Sequence, residues 1–200
     1  LKDLCPRLIG KDPMETEAIW EDYFRGTFWG MGGGPVFYAG MSAIDIALWD
    51  IKGKKYGAPI YQLLGGKTNK ELRTYASQLQ FGWGPEQTAL FDPADYAEAA
   101  RKAVAEGYDC IKVDPIQFYG TTAADNSLTK PKRSYYGLLQ AADIKRAYGR
   151  LKAMRDAVGP DVDIILETHS LLGANSAIQL ANAVRELNIF FFEEPIHPMN

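Results

Sequence analysis

No apolar run in this 200-residue chain approaches the roughly 20 residues that a bilayer-spanning helix needs, so the sequence reads as free of such a span. Nor is there an excess of positive charge. Lys and Arg total 22 against 25 Asp and Glu, a formal net charge of −3. That removes the electrostatic footprint of a protein that binds nucleic acid or an anionic membrane. The opening residues "LKDLCPRLIG" lack the charged-then-apolar form of a signal peptide. Cysteine is scarce. Cys5 and Cys110 are the only two, their separation fits no metal or redox spacing, and they read as reduced thiols in a cytoplasmic protein. The glycine-rich stretch "WGMGGGP" (29–35) lacks the GxxxxGKS/T pattern and has no strand before it, so it does not read as a phosphate cradle.

What remains is a chain of ordinary composition, 46% hydrophobic, with a clear change of pattern near Lys67. Before it, "PMETEAIWEDYFRG" (13–26) spaces apolar residues as a helix does and places acids in the first turn. The stretch "VFYAGMSAIDIALWDIKGKKYG" is strongly helical and stops at Gly57, and "APIYQLLGG" (58–66) predicts a short second helix. After it, strands and helices alternate. Strands are predicted over "ELRTYASQLQ" (71–80), "YDCIKVDP" (108–115), "VDIILETH" (162–169) and "IFFFEEP" (189–195). Between them lie helices over 92–107, 141–159 and 173–188, the first with Asp92 as its cap and Pro93 at its first position. Such alternation implies a parallel sheet with helices outside, which fits an open doubly wound sheet and a (β/α)8 barrel equally.

The strand ends carry the chemistry. In barrels, functional groups gather at the C-terminal ends of successive strands, and side chains two apart on a strand share a face. One predicted strand ends in Lys112 and Asp114, the next in Glu167 and His169, and the last runs through Phe190, Phe191 and Phe192 into Glu193. Burying carboxylates behind apolar runs is costly unless they are paired or hold a cation. Two carboxylates directed into one mouth would repel, and a divalent cation removes that repulsion. Hard oxygen donors suit Mg²⁺, which takes few protein carboxylates and keeps positions for water and substrate. Glu167 and Glu193 are therefore the expected metal ligands, while Glu194 is expected to face away.

The combination of "MSAIDIALWDIKGKKYGAPIYQLLGG", "IKVDP", "LETH" and "FFFEEP", in that order, resembles the mandelate racemase/muconate-lactonizing group of the enolase superfamily. The resemblance implies an α/β fold in which residues 1–70 are the helical part and linker of an N-terminal α+β capping domain. Residues 71–200 would then be the first four strand–helix units of a (β/α)7β TIM-like barrel. It implies three acidic Mg²⁺ ligands at the ends of the third, fourth and fifth strands, Glu167 taking the first position and Glu193 the second. The metal would stabilise an enediolate formed by loss of the proton α to a substrate carboxylate. Lys112 takes the first position of the family's Lys-x-Lys pattern, and Asp114 replaces the second lysine. "ETH" resembles the Asp-x-His of acid-sugar dehydratases of the galactonate dehydratase type, with Glu167 one methylene longer than the usual Asp. In those enzymes the histidine protonates the departing 3-hydroxyl, the role implied for His169.

The implied activity is Mg²⁺-dependent dehydration of a sugar acid, an aldonate or aldarate, to a 2-keto-3-deoxy acid. Lys112, Asp114 and His169 would be the catalytic residues. The alternatives are a racemase or cycloisomerase of the same superfamily, or a non-catalytic homologue acting as a sensor or binding protein. A small-molecule substrate is expected, with no nucleic acid or membrane partner and with assembly as a homo-oligomer. The polar stretch 116–139 is expected to be a lid or subunit contact outside the barrel, with Tyr119, Tyr135 and Tyr136 as candidate substrate contacts. The third metal ligand and a His–Asp dyad are expected beyond residue 200, which makes the chain read as a piece of a longer protein.

Overall fold

A computed structural model describes residues 4–28, 30–117 and 137–199. The chain divides into two compact units, Leu1–Leu72 and Arg73–Asn200. No described helix is long and apolar enough to cross a membrane.

The first unit is helical: α1 spans Thr16–Gly26, α2 Gly34–Tyr56 and the single turn α3 Ile60–Leu63. Its core is small. Ile19 and Tyr23 of α1 pack with Met41, Ile44 and Leu48 of α2 and with Leu4. The Tyr23 hydroxyl is satisfied within this core by donating to the Leu4 carbonyl at 2.7 Å. Gly57 ends α2 in the left-handed conformation (φ 62°) and donates its N–H to the Lys54 carbonyl, the stop that its position in the sequence predicts.

The second unit holds α4 (Pro93–Ala105), β1 (Cys110–Val113), α5 (Ala141–Val158), β2 (Asp163–Glu167), α6 (Ala174–Ala183) and β3 (Phe191–Glu193). The strands form a parallel sheet in the order β1-β2-β3, so the α/β class with parallel strands expected from the alternation is what the chain adopts. The first predicted strand is reduced to one residue. Ala76 bridges Ile111 in parallel, donating to the Cys110 carbonyl and accepting from the Lys112 N–H. It goes no further because Gln78 turns left-handed (φ 62°) into a 3-10 turn over Leu79–Phe81, which removes it from the ladder. The predicted helix over 173–188 likewise closes early, giving way to a 3-10 turn at Arg185–Leu187. Asp92 does precede α4, but its side chain makes no cap. Its backbone carbonyl takes that place, accepting from Asp95 and Tyr96.

Strand alternation separates the two faces of the sheet. Ile111, Val113, Ile164 and Leu166 join Ala99, Ala100 and Ala103 of α4, Ala147, Leu151 and Met154 of α5, and Ala177 and Leu180 of α6 in one core. Lys112, Ile165, Glu167 and Glu193 alternate with these core positions and so point away from the helices. Arg150, fully buried, holds the loops on the strand-end side. Its Nε donates to the Phe91 carbonyl (3.2 Å), its Nη1 donates to the Pro115 carbonyl (2.8 Å), and its guanidinium lies 5.0 Å from the Tyr96 ring centre.

The expectation that 116–139 lies wholly outside the barrel needs correction at its ends. Ile116 and Leu139 are both core residues. Leu139 is further clamped to α6, with its N–H donating to Gln179 Oε1 (2.8 Å) and its carbonyl accepting from Gln179 Nε2 (3.1 Å). The polarity of the stretch as a whole masks two apolar ends that fill space under the helices. Tyr119, Tyr135 and Tyr136 lie outside the described residues.

Candidate active site

Five ionisable side chains meet at the ends of the three strands. Register places the first two: Glu167 pairs with Glu193 across β2 and β3, so two carboxylates stand side by side on the face away from the helices. Lys112, on β1, reaches both. Its Nζ is 2.8 Å from Glu193 Oε1 and 3.0 Å from Glu167 Oε2, and it lies 3.3 Å from the Tyr75 hydroxyl and 5.0 Å from that ring's centre. The Lys112 and Glu167 side chains are nearly buried, at 10% and 8% exposure, while Glu193 is more open at 27%. Burial opposes the charge on Lys112, but the bonds to Glu193, Glu167 and Tyr75 outweigh it and hold the ammonium well above its ordinary pKa.

Asp114 and His169 form the second pair. Asp114 has a fully buried side chain, and its Oδ2 lies 2.9 Å from His169 Nδ1. The other oxygen accepts the N–H groups of Ile116 (2.9 Å) and Gln117 (2.8 Å), so the carboxylate also shapes the turn that leaves β1. Burial pushes the Asp114 carboxyl up, against the lowering effect of His169 and the two backbone donors. The bond to Asp114 pushes His169 up from its usual value. Burial works the other way, and the charges of Asp114, Glu167 and Glu194 add to the rise. With Nδ1 committed to Asp114, Nε2 is left as the working nitrogen, and it lies 3.8 Å from Glu167 Oε2.

His169 reaches this place by a route other than the one its sequence spacing suggests. β2 ends at Glu167, and His169 and Ser170 both adopt left-handed backbone (φ 47° and 59°). A non-glycine residue there is strained. The turn is held by Thr168, whose N–H donates to the Glu193 carbonyl and whose hydroxyl donates to that of Glu194, and by the Ser170 N–H, which donates to the same Glu194 carbonyl. Glu194 is itself left-handed (φ 44°) and exposed. Strand alternation alone would have directed the imidazole toward Glu167. The turn carries it to Asp114 as well.

Two contributors were not singled out by the sequence reading. Gln80, nearly fully buried, accepts the Asp114 N–H at its Oε1 (3.2 Å) and donates from Nε2 to Gln117 Oε1 (2.8 Å), bracing the Asp114 turn. Tyr75 supports Lys112. Both lie in the first predicted strand, of which Ala76 alone pairs, and no ionisable residue closes that strand.

Among the described residues, no group of three His, Cys, Asp or Glu side chains is placed to hold a metal. Glu167 and Glu193 do converge on one cationic point, the Lys112 ammonium, and they are hard oxygen donors. This donor set fits a partial Mg²⁺ site of two carboxylates, with the remaining positions for water, substrate or further ligands.

Comparison with known proteins identifies the family. The family described as "Enolase C-terminal domain-like" matches residues 95–200, and "Mandelate racemase / muconate lactonizing enzyme, N-terminal domain" matches residues 1–65. The D-gluconate dehydratase of Thermoproteus tenax is 36% identical over 189 residues, covering 94% of this chain and 33% of its own. The D-galactonate dehydratase family member RspA of Pantoea ananatis is 33% identical over 217 residues, covering 98% and 48%. A solved structure from Salmonella typhimurium is 60% identical with a TM-score of 0.92, covering 100% of this chain and 49% of its own. Another from that organism, described as a member of the enolase superfamily, is 51% identical with a TM-score of 0.90, covering 100% and 50%. The chain thus spans a third to a half of the length of the relatives it matches.

Proposed function

Because the chain belongs to the mandelate racemase/muconate lactonizing enzyme family of the enolase superfamily, we propose that it carries half of the catalytic apparatus of a Mg²⁺-dependent sugar-acid dehydratase. The observation that carries this reading is the Asp114–His169 pair standing beside two convergent carboxylates and a lysine. It supplies a proton donor next to a place where an anionic substrate can be held. The names of the relatives, a gluconate dehydratase and a galactonate dehydratase family member, support the same substrate class.

In this reading Glu167 and Glu193 would hold Mg²⁺, which would supply positive charge against the negative charge that develops on the substrate carboxylate as the C2 proton passes to a base, the place of the His–Asp dyad expected beyond residue 200. Lys112 contributes as a donor and a positive charge. Its ammonium is stabilised by three acceptors, which suits binding a carboxylate and disfavours service as a base. His169 gives its Nε2 proton to the 3-hydroxyl, which departs as water, and the enol left behind ketonises to a 2-keto-3-deoxy acid. Asp114 holds the imidazole in the tautomer and orientation that direct Nε2 outward, and it favours the protonated ring. Such a positioned acid contributes about 10²–10⁴-fold to loss of a poor leaving group.

The test is a screen of aldonates and aldarates with Mg²⁺ for semicarbazide-reactive 2-keto product. It is paired with His169→Asn assayed for deuterium uptake at C2 of recovered substrate. Product from wild type, together with a variant that stops dehydrating yet retains C2 exchange and Mg²⁺ affinity, supports the acid role. Loss of metal affinity, exchange and dehydration together would reduce His169 to a support for Glu167. Dehydration at the wild-type rate in the variant would refute the assignment.

A further inference from the structure

The Lys112 ammonium sits at a point within 3.0 Å of one oxygen from each proposed metal ligand, 2.8 Å from Glu193 and 3.0 Å from Glu167. A divalent cation held by the same two carboxylates would compete with the ammonium, because both seek the place of highest negative potential between them. An ammonium and a divalent ion cannot share it. The third partner of Nζ is of another kind. Tyr75 offers a hydroxyl oxygen at 3.3 Å and a ring face whose centre is 5.0 Å away, and both are favourable to a cation without adding negative charge.

We infer that Lys112 is a built-in stand-in for the metal. It holds Glu167 and Glu193 together when no divalent ion is bound, and it withdraws onto Tyr75 when one enters. This rests on the reading of the two glutamates as Mg²⁺ ligands. Without Lys112, a nearly buried carboxylate and a partly buried one at adjacent register positions would face each other uncompensated, a costly arrangement. With it, every metal-binding event must first break two ion pairs, so affinity is set by the difference between metal and lysine. Tyr75 lowers the cost of release by receiving the displaced charge. The device keeps the ligands preassembled, and on metal entry it turns the ammonium away from its carboxylates and frees it for an anionic substrate.

The test is Mg²⁺ titration by calorimetry into the intact protein and its Lys112→Met, Tyr75→Leu and doubly substituted forms, with thermal melts beside it. Lys112→Met is expected to bind Mg²⁺ about ten-fold more tightly or better, since a competing cation is gone. It should also melt lower without Mg²⁺ and show a larger Mg²⁺-induced rise than wild type. Tyr75→Leu is expected to weaken Mg²⁺ binding several-fold, by about the worth of a cation–π contact, and to have no effect when Lys112 is already Met. Tyr75→Leu keeps the test decisive if Lys112→Met does not fold. Unchanged or weaker Mg²⁺ affinity in Lys112→Met overturns the stand-in role alone, as does a Tyr75→Leu effect of equal size in both backgrounds. Absence of Mg²⁺ binding in both wild type and Lys112→Met overturns the metal reading and this inference with it.

Discussion

Replacing Asp114 separates its two tasks. One oxygen of the fully buried carboxylate accepts the Ile116 and Gln117 N–H groups at 2.9 and 2.8 Å, and the other faces His169 Nδ1 at 2.9 Å. Asp114→Ala leaves two backbone donors without a partner in a buried turn, at about 1–3 kcal/mol each, offset by no longer burying a carboxylate. The expected loss is about 3 kcal/mol. Asp114→Asn keeps an oxygen for both N–H groups and trades a buried charge for an amide, so its stability should stay within about 1 kcal/mol of wild type. Both should lose dehydration. Alanine offers His169 no orienting group. Asparagine presents its NH₂ to Nδ1, so that nitrogen must accept and the pairing that favours the protonated ring is gone. Urea unfolding of the intact protein reads the first effect. With a slope of about 2 kcal/mol/M, Asp114→Ala should lower the midpoint by about 1.5 M while Asp114→Asn barely moves it. Assay of 2-keto product reads the second effect. Equal midpoints for the two variants would refute the account of the turn, and wild-type dehydration in Asp114→Asn would refute the account of His169.

Three further outcomes are expected. Burial of Tyr96 and the nearby Asp114 charge push its phenol from 10 up to about 12, against the Arg150 guanidinium. The neutral phenol is therefore favoured in the folded state: its contribution is complete below pH 10 and is lost as pH rises from 10 through 12. The slope should be about 1.4 kcal/mol per unit, and Tyr96→Phe should flatten that limb in alkaline urea melts. A Cβ at Gly30 would lie 2.1 Å from the Phe24 carbonyl oxygen, a clash with backbone that no rotamer relieves. Gly30→Ala should thus cost about 3 kcal/mol in chemical denaturation, and an unchanged midpoint would show the turn to be looser than it looks. Mg²⁺ at 100 times its dissociation constant should stabilise the wild type by about 2.7 kcal/mol in a thermal melt, and Glu193→Gln should abolish most of that rise. A full Mg²⁺ response in the variant would remove Glu193 from the ligand set.

Sequence alone determined the parts whose signals are local. Apolar spacing marked α1, α2, α4 and α5, glycine marked the end of α2, and apolar runs bounded by turn residues marked β1, β2 and β3. Alternating strands and helices fixed the parallel class, and charged residues closing apolar runs picked out Lys112, Asp114, Glu167, His169 and Glu193. Only tertiary structure decided how these meet. Register puts Glu167 beside Glu193 and sends Lys112 between them, a fact of interstrand hydrogen bonding that no single strand contains. The pairing of Asp114 with His169 spans 55 residues and depends on a left-handed turn after β2, which the alternation of an ideal strand cannot foretell. Gln80 and Tyr75 stayed hidden because the predicted strand around them pairs at Ala76 alone, and their side chains acquire a role only when β1 lies alongside. Local periodicity follows from the geometry of one chain segment, whereas a site is made where segments distant in sequence are packed against one another.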